Sequence, residues 1–389
     1  MTSLKVMDLF CGTGGFSKGF EKTGSFEVVY GIDILPLSVA TFQLNHEAAL
    51  ALSGDIRKVR RSEIAEKLNL ARDEVDVIIG GPPCQGFSSI RPNRSTNYDD
   101  PRNTLFEEFA AYVGYWRPRV FVFENVVGLA THQRGVDLDA IQESFSQLGY
   151  TTDWRILNAA HFGVPQKRER LILLGAQQGV KLRWPRPTHH GNFRTIGHQD
   201  PARLLRPSQP DLFSDSSSEL PAALTVRDAI DDLPPIGSGE AAERYDRPAR
   251  TDYQRERRGD VAELTWHCAT RHSDKMMEII KHSGPNISYI PKHLITSGFS
   301  SCYSRLEADE AAPTITVNFV HPASNKCIHP NLDRALTPRE GARIQSFDDN
   351  FRFAGTNRNA VAKQIGNAVP PLLGKVIGDA VAEMLGAGL

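Results

Sequence analysis

Cys84 stands in the run Gly80-Gly81-Pro82-Pro83-Cys84-Gln85-Gly86-Phe87-Ser88, whose residue types suit the presentation of a nucleophile. Two consecutive prolines fix the backbone and remove two N–H donors. The flanking glycines permit a sharp turn and later movement. A lone cysteine is most often a small buried hydrophobe, but this one follows an apolar strand candidate and sits between a rigid dipeptide and a polar loop. It reads as a thiol held out for attack. Cys11, Cys268, Cys302 and Cys327 lack that setting and read as structural. Glu124 closes another apolar run, Val122-Phe123-Glu124-Asn125-Val126. A carboxylate at such a strand end costs free energy unless it is solvated or paired. It reads either as the structural partner of an arginine or as an acid with a raised pKa that donates to a ring nitrogen. Gln166-Lys167-Arg168-Glu169-Arg170 lies between strand-forming segments, so at least one arginine should point to the strand-end cleft. Arg168 and Arg170 suit a base oxygen, a phosphate or Glu124 itself.

A second constellation suits a nucleoside. Asp8-Leu9-Phe10-Cys11-Gly12-Thr13-Gly14-Gly15 follows the first strand candidate and opens a helix. Glycines there let the chain turn tightly and let a ligand approach the backbone. The spacing is not that of the dinucleotide fingerprint, and a Gly-rich turn alone is weak. Asp33 strengthens it. It follows Val28-Val29-Tyr30-Gly31-Ile32 about 20 residues on, where a carboxylate accepts from ribose hydroxyls. Asp55, in Gly54-Asp55-Ile56, could accept from an adenine amino group. Together these residues outline an adenosine site.

The elements that must position these groups alternate between apolar runs and amphipathic stretches over the first 176 residues. Leu4 to Phe10, Glu27 to Ile32, Val75 to Ile79, Val120 to Phe123 and Leu171 to Leu174 are strand candidates. Asn103 to Tyr115 and Val136 to Leu148 are helix candidates. Short apolar strands separated by helices predict a mostly parallel sheet covered on both faces, with ligands beyond the carboxyl ends of the strands. After about residue 180 the pattern changes. Lys181 to Arg206 carries six Lys or Arg, three His and one acid, and Pro207 to Leu220 reads as a linker. Thr225 to Leu233 predicts a short helix stopped by Pro234 and Pro235. Arg244 to Arg258 holds six arginines mixed with acids, with no clear alternation. Ala312 to Phe319 is a β-like run, Thr337 to Ser346 a helix with Pro338 in its first turn, and Pro370 to Leu385 an amphipathic helix.

The chain of 389 residues carries a net charge of -1, with 40% hydrophobic and 23% charged residues. That balance suits a globular core and argues against coating nucleic acid by bulk positive charge, while leaving room for a local basic cleft. Five cysteines without C-x-x-C spacing argue against a disulfide framework or zinc knuckle, and no metal site is expected. Met1 to Phe10 lacks the pattern of a signal peptide, and no stretch approaches a membrane span, so a cytoplasmic protein without a membrane partner is expected.

With these residues assembled, the chain closely resembles the bacterial DNA (cytosine-5)-methyltransferases of restriction-modification type. The blocks that carry the likeness are DLFCGTGGFS at Asp8 to Ser17, GGPPCQGFS at Gly80 to Ser88 and ENV at Glu124 to Val126. QKRER at Gln166 to Arg170, LTPREGARIQSF at Leu336 to Phe347 and QIGNAVPP at Gln364 to Pro371 follow in order. They touch roughly residues 1–180 and 303–385, and the middle matches only in length and irregularity. The resemblance implies a Rossmann-like α/β fold, with S-adenosylmethionine as methyl donor and double-stranded DNA as partner. It casts Cys84 as the nucleophile at carbon 6 of a flipped-out cytosine and Glu124 as the contact to ring nitrogen 3. Arg168 and Arg170 match positions that organise the base and the loop. Phe10, Thr13, Gly15, Asp33, Ile34, Asp55, Ile56, Pro83, Leu105 and Asn367 match cofactor contacts. Ser88 to Arg102 resembles a mobile loop that closes over DNA.

The expected organisation is a catalytic and cofactor-binding domain over 1–185, a target-recognition domain over 186–302 and a return segment over 303–389 that completes the catalytic domain. Arg183, Arg186, Arg194, Arg203 and Arg206 are candidates for phosphate contacts, with a solvated loop as the equal alternative. A monomer is expected, and a cognate restriction endonuclease would act on the same site without a stable complex. Two other readings compete: an RNA cytosine-5 methyltransferase, and a catalytically silent DNA-binding regulator. The long insert favours DNA over RNA, and the intact Cys84 and Glu124 argue against a silent protein.

Overall fold

A computed structural model describes residues 3–83, 105–131, 135–191, 193, 220–295 and 298–387. Cys84, the Ser88 to Arg102 stretch, and Arg194, Arg203 and Arg206 lie outside these residues. The chain divides into two compact units. One comprises residues 1–158, 169–221 and 373–389, the other residues 159–168 and 222–372.

The first unit is built on a seven-stranded sheet. Its strands are β1 (Leu4–Leu9), β2 (Phe26–Asp33), β3 (Leu50–Ser53), β4 (Val77–Gly80), β5 (Val120–Asn125), β6 (Tyr150–Asn158) and β8 (Glu169–Gln177), in the order β3-β2-β1-β4-β5-β8-β6. The five strands from β3 to β5 run parallel, and β8 is antiparallel to both β5 and β6. Val6, Met7 and Leu9 of β1 and Val77, Ile78 and Ile79 of β4 are all fully buried. Unbroken burial of this kind marks central parallel strands covered on both faces. Helices α1 (Gly15–Glu21), α2 (Pro36–Asn45), α3 (Arg61–Leu68), α4 (Leu105–Trp116), α5 (Gly128–Thr131), α6 (Val136–Gln147) and, from Leu373 onward, α12 (Pro371–Leu385) belong to this unit. On one face Phe109, Val113 and Trp116 of α4 and Ile141 and Phe145 of α6 close on Met7, Ile78, Phe121 and Phe123 of the sheet. Against α1 the last helix comes so close that a Cβ on Gly374 would lie 2.9 Å from the Phe16 carbonyl oxygen.

Neither β3 nor β6 is among the strand candidates of the sequence, and β6 shows why. Its sequence mixes Thr, Asp and Arg with apolar residues, and as the sheet's edge strand it needs only part of its surface buried. The other strand candidates fall within a few residues of β1, β2, β4, β5 and β8.

The second unit contains α7 (Val226–Ile230), α8 (Asp252–Arg258), α9 (Asp274–Lys281), α10 (Pro338–Ile344) and α11 (Arg358–Asn367). It also holds two small parallel pairs: β7 (Gln166–Lys167) with β10 (Ala312–Pro313), and β9 (Ser304–Arg305) with β11 (Lys326–Ile328). Capping boxes start α7 at Thr225, α8 at Thr251 and α10 at Thr337. The β-like run Ala312 to Phe319 yields only two strand residues. The next free donor, Ile315 N–H, goes to the Gln166 side chain 3.0 Å away instead of to a ladder.

Residues 303–372 belong with 222–302, not with the sheet, so only 373–389 return to the first unit. The cause is a shared core. Val226, Ile230, Leu233, Tyr253 and Leu264 cluster with Leu306, Phe319, Leu336, Phe347, Phe353 and Ile365. The Lys181 to Arg186 stretch stays on the first unit, where Trp184 donates to Asp153 of β6 at 2.8 Å and lies under the Arg155 guanidinium.

Candidate functional site

In an open parallel sheet, ligands bind beyond the carboxyl strand ends near the point where strand order reverses. Here that point lies between β1 and β4, and the conspicuous residues of the sequence collect around it. After β1 the chain turns through Phe10, Gly12 and Gly14, all with left-handed backbone (φ 60°, 52° and 83°). A Cβ on Gly14 would sit 2.5 Å from His46 Nε2, so only glycine fits there. Asp33, the last residue of β2, accepts from Gly12 N–H at 3.0 Å with one oxygen and from Leu35 N–H at 2.9 Å with the other. Burial raises its pKa, and these backbone donors partly offset the rise.

The residues at this turn fit a nucleoside bearing a polar tail. Thr13 is 2% exposed and its Oγ1 has no hydrogen-bond partner among the described residues, so a buried polar atom awaits one. Ile34, just past Asp33, is an apolar side chain 63% exposed. Phe10 lies in the turn and Gly15 is the first residue of α1. Leu105 opens α4, nearly buried, and Ile56 is buried behind Asp55. Asp55 differs from expectation. Both its oxygens are held by the Arg57 guanidinium at 2.8–3.2 Å, which lowers its pKa, so any adenine contact must share the carboxylate with Arg57.

At the next two strand ends the chemical groups converge. Gly81, Pro82 and Pro83 follow β4, and Asn125 at the end of β5 donates from Nδ2 to the Pro82 carbonyl at 3.1 Å. That bond ties the turn leading to Cys84 to the strand carrying Glu124. Glu124 pairs with Arg170, Oε1 to Nε at 2.9 Å, and both side chains keep some exposure. A Cβ on Gly81 would lie 2.7 Å from Glu124 Oε2, so the glycine leaves the room this carboxylate occupies. Arg170 reaches Glu124 because β8 runs antiparallel. Asn125 pairs with Leu171 and Glu124 with Ile172, which brings the beginning of β8 to the carboxyl end of β5. Burial lowers the pKa of Arg170 and Glu124 raises it again, so the guanidinium stays charged. Its Nη1 donates to the Glu169 carbonyl at 2.7 Å.

Arg168 goes elsewhere. It is 2% exposed, belongs to the second unit and donates from Nη1 to the Gly366 carbonyl at 3.2 Å. Gly366 lies in the Gln364 to Pro371 block, next to Asn367, which ends α11 with its side chain exposed. Gln166 and Gln345 serve the same block. Gln166 Nε2 donates to Gln345 Oε1, and Gln345 Nε2 donates to the Ala368 carbonyl, each at 2.5 Å. Within QKRER, therefore, Gln166 and Arg168 brace the second unit, and Arg170 alone meets Glu124.

Sequence reasoning passed over two acids here. Asp8, at the end of β1, is buried and accepts from Ser17 Oγ. Burial, with Asp33 nearby, pushes it up to about 7 against the pull of Ser17. Glu169, opposite Asn158, is likewise pushed up to about 7 by burial. An acid on an apolar strand end was the available signal for Asp8. For Glu169 the charged run hid it.

Among the described residues no helix is long and apolar enough to cross a membrane, and no cluster of His, Cys, Asp or Glu could hold a metal ion. The four described cysteines are unpaired.

A mostly parallel seven-stranded sheet with helices on both faces defines a Rossmann-like methyltransferase fold. A solved structure described as a DNA modification methyltransferase encoded within an E. coli prophage superposes with a TM-score of 0.75 at 25% identity, covering 99% of this chain and 100% of that one. The chain belongs to the C-5 cytosine-specific DNA methylase family, whose profile matches residues 4–383. The enzyme class is thus DNA (cytosine-5)-methyltransferase, with DNA as substrate. Similar relatives include Type II methyltransferase M.AgeI of Thalassovita gelatinovora, 33% identical over 97% of this chain and 99% of that protein. Type II methyltransferase M1.HphI of Haemophilus parahaemolyticus is 34% identical over 98% of this chain and 87% of that protein.

Proposed function

We propose that this chain methylates carbon 5 of a flipped-out cytosine within a specific duplex sequence, with Cys84 as nucleophile and Glu124 as the acid at ring nitrogen 3. The observation that carries the reading is the Glu124 carboxylate. Arg170 holds one oxygen, and the other lies beside Gly81, three residues before Cys84. Carbon 5 of cytosine is a poor nucleophile while the ring is aromatic. Addition of the Cys84 thiolate at carbon 6 moves an electron pair toward carbon 5 and nitrogen 3, where Glu124 supplies a proton. S-adenosylmethionine, when bound, supplies a methyl group on a sulfonium. After transfer nitrogen 3 returns its proton to Glu124, the carbon 5 hydrogen leaves as a proton to solvent, its bonding pair restores the carbon 5–carbon 6 double bond, and Cys84 departs as thiolate. An ordinary thiol has a pKa of about 8.5, so the site must favour thiolate at the moment of attack. Flipping the base costs roughly a few kcal/mol.

Phe10, Thr13, Gly15, Asp33, Ile34, Asp55, Ile56, Pro83, Leu105 and Asn367 are assigned to the methyl donor. Asp33 would accept from the ribose and the Thr13 hydroxyl would find its missing partner. Arg170 orients Glu124. Arg168 is a positioning residue acting through the Gly366 carbonyl. Residues 186–302 are assigned to target recognition. The Type II names of the relatives support a place in a restriction-modification system, acting in the cytoplasm as a monomer alongside, but not bound to, a nuclease of the same specificity.

The test is incubation with labelled methyl donor and either duplex DNA or tRNA, for the native chain and Cys84→Ser. Label should enter only DNA, and only with the native chain, while the variant keeps DNA binding. Label confined to tRNA, or normal methylation by Cys84→Ser, would overturn the assignment. Bisulfite sequencing of DNA from cells expressing the protein would then give the target sequence.

A further inference from the structure

Asp8 is a buried acid that the reaction above does not use. It is 2% exposed and takes a hydrogen bond from Ser17 Oγ at 2.5 Å. No ion pair reaches it among the described residues. The basic side chains of the neighbouring helices are committed elsewhere, since Lys18 and the His46 ring nitrogen Nδ1 both bind Glu21. The group that faces it from β2 is a second acid, Asp33, and from the turn the buried Cys11. The Cys11 thiol is pushed well above its usual range by burial, and then by Asp8 and Asp33, so both acids bear on the same turn. On the same turn the buried Thr13 hydroxyl has no hydrogen-bond partner among the described residues.

Two acids with no ion pair among the described residues leave this turn short of positive charge. A carboxyl in that state holds a proton until a cation arrives, because burial disfavours the lone anion and an opposite charge nearby favours it. On the reading that S-adenosylmethionine binds here, donor and spent product differ by one charge, the sulfonium. We propose that Asp8 is the residue by which this site tells methyl donor from product: it holds a proton when the site is empty or filled by product, and gives that proton up when the sulfonium binds. The released proton goes to solvent, so donor binding and proton release are linked, and product binding is not. Burial that raises Asp8 to about 7 places this exchange at neutral pH.

The experiment is calorimetric titration of the full chain with S-adenosylmethionine and with S-adenosylhomocysteine, without DNA. It is run between pH 6 and 8 in two buffers of different ionisation heat, and repeated for Asp8→Asn. The native chain should release a fraction of a proton with the donor and little with the product, and its donor-to-product affinity ratio should rise about threefold to tenfold across this range. Asp8→Asn keeps an acceptor for Ser17 and should lose both the proton release and the pH dependence of the ratio. If that variant does not fold, Ser17→Ala serves. It removes a bond that stabilises the anion and should move the rise in the ratio to higher pH. Donor binding without buffer-dependent heat, or an Asp8→Asn chain that keeps the native pH dependence, would sink the inference while leaving the cofactor reading intact. No binding of either compound would sink both.

Discussion

Glu124–Arg170 in the first unit and Asp349–Arg343 in the second are both carboxylate–guanidinium pairs, but their surroundings differ. Arg343 donates to Asp349 from Nε at 2.7 Å and Nη2 at 2.6 Å, to both oxygens of Asp232, and to the Ala229 carbonyl. Arg339 and the Tyr245 hydroxyl also bind Asp349, and the Arg339, Arg343, Asp232 and Asp349 side chains are wholly buried. Arg334 and Glu340 form a second sealed, bidentate pair. At Glu124 the arginine takes one oxygen, the other lies beside a glycine, and solvent reaches both partners. A fully satisfied pair can only hold structure together. A pair with a free side can take a substrate.

Removing one partner from each should therefore have opposite readouts. Glu124→Gln is expected to lower the rate of methyl transfer by about 10²–10⁴-fold and to cost only about 1–2 kcal/mol of stability, because glutamine keeps an oxygen that can accept from Arg170 although the pair is mostly buried. Arg343→Ala leaves two buried carboxylates facing each other and should cost about 3–5 kcal/mol. It should melt the second unit while the sheet keeps its far-ultraviolet dichroism. Rates and denaturant unfolding on the same preparations decide it. A stable, active Arg343→Ala chain would show that the two pairs are alike after all.

The two units should also answer pH with opposite slopes. His329 and His272 in the second unit are both pushed down to about 4, chiefly by burial. The unfolded chain takes up their protons near pH 6.5 and the folded chain near 4, so stability falls as pH drops through that window. For His329 this amounts to about 3 kcal/mol at most. Glu340 and Asp349, held below the usual carboxylate range by their arginines, lose their contribution at still lower pH. In the first unit Asp8 and Glu169 go the other way. Their folded pKa values lie near 7, above the unfolded ones, so their contribution is present at pH 4 and lost as pH rises to 7. Hydrogen exchange, corrected for intrinsic rate, should show protection rising with pH over 222–372 and falling around β1 and β8. Parallel slopes in the two units would refute the assignment.

The same contrast explains what could be read in the residues. The parallel strands and their ends were legible because unbroken apolar runs mean burial on both faces, and an acid at the end of such a run stands out. Asp33 and Glu124 were found that way. Arg168 and Arg170 were not separable, since a charged run does not say which members a following antiparallel strand will carry to the neighbouring strand end. The extent of the second unit was hidden for a related reason. Its core joins helices far apart in sequence, and its buried arginines look like surface charge until Asp232 and Asp349 are seen facing them. Gly81 was read as freedom to turn, and its closeness to Glu124 Oε2 is a tertiary fact.

Gly81 supplies the finest version of the comparison, because the second unit has a counterpart in Gly366. A Cβ on Gly81 would meet the Glu124 carboxylate oxygen at 2.7 Å, the far end of a side chain that can swing. A Cβ on Gly366 would meet the Thr316 carbonyl oxygen at 2.6 Å and the Val317 nitrogen at 2.7 Å, which are backbone and cannot. Gly81→Ala should therefore displace Glu124 from its 2.9 Å contact with Arg170 and lower kcat by about tenfold, equivalent to ~1.4 kcal/mol of barrier. The donor's Kd should be unchanged and the melting curve nearly so. Gly366→Ala forces backbone apart in a packed unit and should cost about 1–3 kcal/mol of stability. An alanine at 81 that lowered stability as much as one at 366, with kcat intact, would mean that the Glu124 carboxylate is packed in place and not poised.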